Sequence, residues 1–171
     1  LVVVGKGVLP ALSFVPRNKI DIDLGILVNE QMETSSTGIF AAGDVAELVD
    51  ISRKTRWVNA IWPEAVTQGR IAGSNMAGRP VRYRGSLSRN VLRILNLDVM
   101  TMGLVNPPDT AEYDVIATMN SRSRTYRKLV FRNDVLVGAV MVNALPVGLS
   151  AVRMLRRHAS VPLVAHFPCI A

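Results

Sequence analysis

The hydrophobic positions of this chain fall into short runs with two different periods. Leu1-Val2-Val3-Val4 is a β-branched run closed by Gly5 and Gly7. That pattern predicts a fully buried parallel strand followed by a loop. Pro10 and Pro16 keep the next stretch irregular. Residues 23–29 read as a turn leading into a short strand. Ile39-Phe40-Ala41-Ala42 predicts another short buried strand, entered from a turn and left through Gly43-Asp44. Trp62-Pro63-Glu64-Ala65 then opens a helix. Pro63 suits the first helical position, and Glu64 complements the positive end of the dipole. Ala65, Gly69, Ala72, Gly73 and Met76 recur on one side of it, small enough in the main for another backbone to approach. Gly78 supplies a left-handed cap and Pro80 prevents resumption, so 79–88 reads as a linker.

After Leu87 the pattern changes. Residues 91–97 and 99–105 read as two strands, or as a short helix and a strand. Asn106-Pro107-Pro108-Asp109 is a firm break. Residues 112–119, 125–131 and 135–142 read as three strands, with a hairpin turn at Arg132-Asn133-Asp134. The moderate alternation of 125–131 leaves one of its faces wet. Residues 146–158 predict a helix with Val147, Ala151, Val152 and Leu155 inward. Arg153, Arg156, Arg157 and His158 crowd its last turns, as the dipole prefers. The uncharged run 135–152 has about the minimum length of a membrane span. It contains Gly138, Asn143, Pro146, Gly148 and Ser150. It therefore divides into a strand and a helix, and no membrane association is expected.

Composition narrows the classes. With 171 residues, 49% of them hydrophobic, the chain has core enough for one ordinary domain or two small ones. The formal net charge of +7 raises the question of nucleic acid. The arginines are scattered, no aromatic platform lies between them, and no zinc or helix-turn-helix spacing is present. A solvated basic surface is the plainer reading, and nucleic acid is not an expected partner. Steep salt dependence of DNA or RNA binding would be the sign of the opposite. Cys169 is the only cysteine, which excludes an internal disulfide or a thiolate metal cluster. It suits a reducing, cytoplasmic setting. Lys6 reads as a solvated charge. His158 and His166 stand at no recognisable catalytic spacing, so both read as surface residues. No metal site is evident, and no catalytic residue is assigned.

The chemistry lies in residues 34–47, Thr-Ser-Ser-Thr-Gly-Ile-Phe-Ala-Ala-Gly-Asp-Val-Ala-Glu. A carboxylate at a strand end, here Asp44, accepts strong hydrogen bonds from hydroxyls. Gly43 permits close approach of the backbone to a ligand. Alone, a Gly-Asp pair is more often a turn or a helix cap. In this setting the stretch resembles the second flavin-contacting motif of the FAD- and NAD(P)H-dependent pyridine nucleotide-disulfide oxidoreductase superfamily. Residues 3–10 are loosely similar to the strand that closes its nicotinamide-binding domain, with Lys6 inserted. Leu97-Asp98-Val99-Met100 and Leu136-Val137-Gly138-Ala139-Val140 resemble the branch of NADH-dependent nitrite reductase and rubredoxin reductase.

The resemblance implies an α/β fold: the C-terminal part of an FAD/NAD(P)-binding domain, then a small α+β interface (dimerisation) domain. The implied boundaries are 1–12 for the end of the NAD(P)-binding domain, 13–80 for the FAD-binding part, and 86–171 for the interface domain. The family's opening Gly-x-Gly-x-x-Gly turn is absent, so the chain is expected to be a C-terminal portion. The implied cofactors are FAD and NAD(P)H. Asp44 is implied to bind a hydroxyl of the ribityl chain of FAD, with Gly43 permitting close backbone approach and Val45 adding its N–H to a phosphate or flavin oxygen. The helix start at Pro63, Glu64 and Ala65, with Val66, is implied to face the pyrimidine edge of the flavin. A homodimer through the C-terminal domain and a redox carrier protein are the implied partners. The alternative is a non-catalytic dimerisation or carrier-docking module with a remnant flavin motif.

Overall fold

The computed structural model describes residues 1–157. These form two compact units, one of Leu1–Val49 with Thr55–Ser86, the other of Asp50–Lys54 with the described residues from Leu87 onward. His158, His166 and Cys169 lie outside the described residues.

Three short strands, all of the first unit but for Asp50, form one sheet in the order β1 (Ile26–Leu27), β2 (Ala46–Asp50) and β3 (Thr55–Trp57). β1 and β2 are parallel, with Ile26 opposite Ala46. Gly25 makes that approach possible, because a Cβ there would lie 2.6 Å from the Val45 carbonyl oxygen. Helix α1 (Trp62–Met76) follows, ending through Ala77 into Gly78 at φ 73°. Ile26, Val28, Met32, Ala46, Leu48, Ala72 and Tyr83 share one core.

Three expectations for this unit are corrected. Leu1-Val2-Val3-Val4 forms no strand and all four residues are exposed. A β-branched run becomes a strand only where another strand pairs with it, and no described residue does. Residues 39–42 form a single bridge, Phe40 to Glu33, not a buried strand. Only Ala41 of the four is fully buried, and Ile39 is exposed. The small-residue side of α1 is not the packed side. Glu64, Gln68 and Ala72 are buried, whereas Gly69, Gly73 and Met76 are exposed. Polar groups line the buried ridge because the neighbouring loops carry backbone groups that need partners. The Asn75 amide illustrates this by donating to the carbonyls of Gln31 and Val81 at 2.9 Å each. The β2–β3 pair was not legible as strands at all. Its connection is tied by Asp50, whose carboxylate accepts from Ser52 N at 2.9 Å and Arg53 N at 3.0 Å.

The second unit is a five-stranded antiparallel sheet. Its order is β4 (Arg89–Ile94), β5 (Leu97–Gly103), β8 (Val135–Val142), β7 (Thr125–Arg132), β6 (Tyr113–Asn120). Helix α2 (Leu145–Arg157) packs on β8 and β5. The first stretch after the linker is thus a strand hairpin, without the short helix. Asn133 and Asp134 both take positive φ, 48° and 62°, as a two-residue primed hairpin turn requires. Met100, Met102, Leu129, Phe131, Leu136, Ala139 and Met141 meet Ala151, Val152 and Leu155 of α2 in the main core. Val147 is only half-buried, and Gly148 takes the inward place. The expectation of a wet face on 125–131 fails at its far end. Leu129, Val130 and Phe131 are all buried, because Val130 joins Leu104 and Val137 in a second small cluster.

Arg93 and Asp98 face each other across the β4–β5 hairpin, with Nε–Oδ1 at 2.5 Å and Nη2–Oδ2 at 3.0 Å. That hydrogen bond, more than the charge attraction, holds the Asp98 carboxyl below its ordinary value of 3.8. A depressed carboxylate stabilises the fold above its unfolded pKa and loses that contribution as pH falls through the folded pKa. Asp98→Asn is therefore expected to cost a small increment at neutral pH, since exposed pairs are weak. The difference from the native chain should vanish in acid below the usual carboxylate range. Thermal unfolding from pH 7 to pH 2 measures it, and a difference that grew in acid would contradict the assignment.

Candidate functional site

The Gly43-Asp44-Val45 turn lies between the Phe40 bridge and strand β2. Gly43 takes φ 82°, a value that favours glycine. Its carbonyl accepts from Ala46 N at 2.9 Å, which closes the turn. Its N–H donates to Gln68 Oε1 of α1 at 2.8 Å. Asp44 is exposed, and its carboxylate accepts no hydrogen bond from a described residue. It therefore does not cap its own turn. The N–H groups of Asp44 and Val45 also have no acceptor among the described residues.

Asp44 and Val45 open onto a cavity of about 500 Å³ within the first unit. Leu9, Phe14, Leu24, Trp57 and Val58 are among its walls, and Asp44 is the one charged residue among its described walls. A single carboxylate with free donors beside it, set in apolar walls, suits a ligand with a hydroxyl-bearing chain and a flat apolar part.

Pro63, Glu64 and Ala65 stand in the first turn of α1. Ile61 is the N-cap and makes no side-chain cap bond. The N–H groups of Glu64 and Ala65 both donate to the Ile61 carbonyl at 3.1 Å. The Trp62 N–H has no acceptor among the described residues. Pro63 is exposed and Ala65 half-buried, with Ala65 Cβ 3.5 Å from where a Gly43 Cβ would stand. The helix start therefore adjoins the Gly-Asp turn, and the two sequence-predicted groups come together. Glu64 does not project into solvent: it is fully buried, and its carboxylate accepts from the Tyr83 hydroxyl. Sequence reasoning missed Gln68, Tyr83 and Gly25. The i, i+4 spacing of Glu64 and Gln68 on one helix face was the available signal.

The arrangement is a short parallel strand pair with a Gly-Asp turn set against a helix start. A family model described as "Pyridine nucleotide-disulphide oxidoreductase" matches residues 1–69, and "Rubredoxin NAD+ reductase C-terminal domain" matches residues 89–145. The chain belongs to the pyridine nucleotide-disulphide oxidoreductase family.

Relatives agree with this. The chain is 30% identical over 171 residues to the "NADH-dependent phenylglyoxylate dehydrogenase subunit epsilon" of Aromatoleum evansii, covering 98% of this chain and 40% of that protein. It is 32% identical over 109 residues to the "NADH-rubredoxin oxidoreductase" of Clostridium acetobutylicum, 60% of this chain and 25% of that protein. The crystal structure of NADH:rubredoxin oxidoreductase from the same organism superposes with a TM-score of 0.69 at 25% identity, over 93% of this chain and 39% of that one. The chain thus spans less than half the length of these relatives. A shorter stretch of 34 residues, 20% of this chain, is 76% identical to "Ribulose bisphosphate carboxylase-like protein 2" of Rhodopseudomonas palustris, 8% of that protein. Among the described residues no helix is long and apolar enough to cross a membrane, and no cluster of metal-ligating side chains is present.

Proposed function

We propose that this chain is the C-terminal portion of a cytoplasmic FAD-dependent NAD(P)H oxidoreductase that passes a hydride from NAD(P)H through flavin to an acceptor. The observation that carries the reading is the Asp44 carboxylate, without a partner among the described residues, at a positive-φ glycine turn facing an apolar cavity. Asp44 would accept from a ribityl hydroxyl, and Val45 would offer its N–H. Gly43 keeps the turn free of a side chain. The first turn of α1, with Pro63, Glu64 and Ala65, would set its positive end toward the flavin ring. Flavin, when bound, supplies the hydride-accepting chemistry, while the protein orients it and tunes its charge.

In this reading 1–12 closes the NAD(P)-binding domain, 13–80 completes the FAD-binding domain, and 86–171 is the interface domain of a homodimer. A small redox carrier is the proposed acceptor class, supported by the relative whose name specifies rubredoxin. The 171 residues alone are expected neither to hold FAD tightly nor to turn over NAD(P)H, because the family's opening glycine turn is not among them. Visible absorbance of the purified chain, where flavin absorbs and protein side chains do not, tests this. Stoichiometric flavin on the purified 171 residues would overturn the expectation. A natural polypeptide that contains this chain and holds no flavin would overturn the function.

A further inference from the structure

The buried polar ridge of α1 carries a group that the proposed function does not use. Gln68 is 1% exposed. Its Oε1 accepts the Gly43 N–H at 2.8 Å, which fixes which end of the amide is oxygen. Its Nε2 has no acceptor among the described residues. The amide's donors are therefore left for another partner. The neighbouring polar residues on the ridge are partnered. Glu64, one turn earlier, accepts from Tyr83, and Asn75 bonds the chain at Gln31 and Val81. α1 is therefore fixed on both sides of Gln68.

The Gly43 residue is held at both ends, by Gln68 at its N–H and by Ala46 N at its carbonyl. With those two groups committed, the groups of the turn without a partner among the described residues include the Asp44 carboxylate and the N–H groups of Asp44 and Val45. We propose that Gln68 is the positioning residue of the Gly43-Asp44-Val45 turn, and that its Nε2 donates to an oxygen or ring nitrogen of the cofactor held there. The second half rests on the flavin reading; the first half does not.

The test uses Gln68→Met, which removes both functions of the amide, and Gln68→Glu, which keeps an acceptor and removes the donor. Both are made in the natural polypeptide that carries this chain. Amide exchange at Gly43, FAD affinity and the flavin midpoint potential are measured. Gln68→Met is expected to speed Gly43 exchange and to weaken FAD binding by about 10- to 100-fold, the range for losing a buried hydrogen-bonded group. Gln68→Glu is expected to keep Gly43 protected, weaken FAD binding and move the potential negative, since a new carboxylate disfavours the anionic reduced flavin. A role in packing alone would not shift the potential in that direction.

Unchanged Gly43 exchange in Gln68→Met would overturn the positioning role. Unchanged affinity and potential in Gln68→Glu, with the fold intact by circular dichroism, would overturn the donation. If the native polypeptide binds no FAD while Gly43 exchange still follows Gln68, the positioning role stands, and the donation falls with the flavin reading.

Discussion

Replacing Asp44 with alanine is expected to weaken FAD binding by the natural polypeptide about 10- to 150-fold while leaving the melting temperature of the flavin-stripped protein unchanged. The two halves of that result come from the same geometry. The carboxylate is exposed and bonds no described residue, so the fold gains nothing from it. A ligand hydroxyl that donates to a carboxylate gains a charge-assisted bond of about 1.5–3 kcal/mol, and each 1.4 kcal/mol is about a factor of ten. Asp44→Asn keeps an acceptor oxygen in the same place and removes the charge, so an intermediate loss is expected. Isothermal titration with FAD on flavin-stripped protein measures all three. If Asp44→Ala binds FAD as the native protein does, the Gly-Asp pair is only a turn, and the cavity beside it needs another occupant. If it melts earlier, the carboxylate has a structural partner and the separation drawn here is wrong.

Much of the second unit was legible because its signals are local. Asn-Asp between two apolar runs fixes a two-residue turn, and that turn sets the first pairs of β7 on β8, Arg132 opposite Val135 and Phe131 opposite Leu136, before the register shifts between Phe131 and Val130. The apolar spacing of α2 likewise gave Ala151, Val152 and Leu155 as inward positions. The first unit was less legible because its structure depends on partners that sequence period does not reveal. Leu1-Val2-Val3-Val4 has the composition of a buried strand and no paired strand beside it. α1 misled in the opposite way. Small side chains suggested a packed face, but the buried face is Glu64, Gln68 and Ala72. A polar ridge is buried there because loops, whose backbone groups no ladder satisfies, pack against it. The candidate site shows the same division. The Gly43-Asp44 pair and the start at Pro63 were visible as motifs. Gln68, 25 residues from Gly43, became visible only once the helix stood beside the turn.

The largest loss of stability is expected from Gly138→Ala, about 3 kcal/mol, the upper part of the usual range for forcing a methyl group into filled space. Gly138 lies in β8 opposite Gly103 of β5. An added Cβ would stand 2.0 Å from the Leu104 carbonyl oxygen and 2.5 Å from its carbonyl carbon. Those are backbone atoms, so no side chain can swing aside. Leu104 cannot retreat cheaply either, because its N–H donates to the Val137 carbonyl at 2.9 Å. Gly103 meets the reciprocal limit, with φ 63° and the Val137 oxygen 2.1 Å from any Cβ. The two glycines thus let β5 and β8, the strands that carry α2, come together where the sheet turns. The control is Gly73→Ala in α1, where nothing lies within 4 Å of the added Cβ. In a helix interior that change should stabilise by about 0.5–1 kcal/mol. Chemical denaturation of the two variants separates the explanations. Opposite signs would show that the cost at Gly138 comes from backbone contact, whereas a loss of similar size at both would mean that the glycines serve some need other than space.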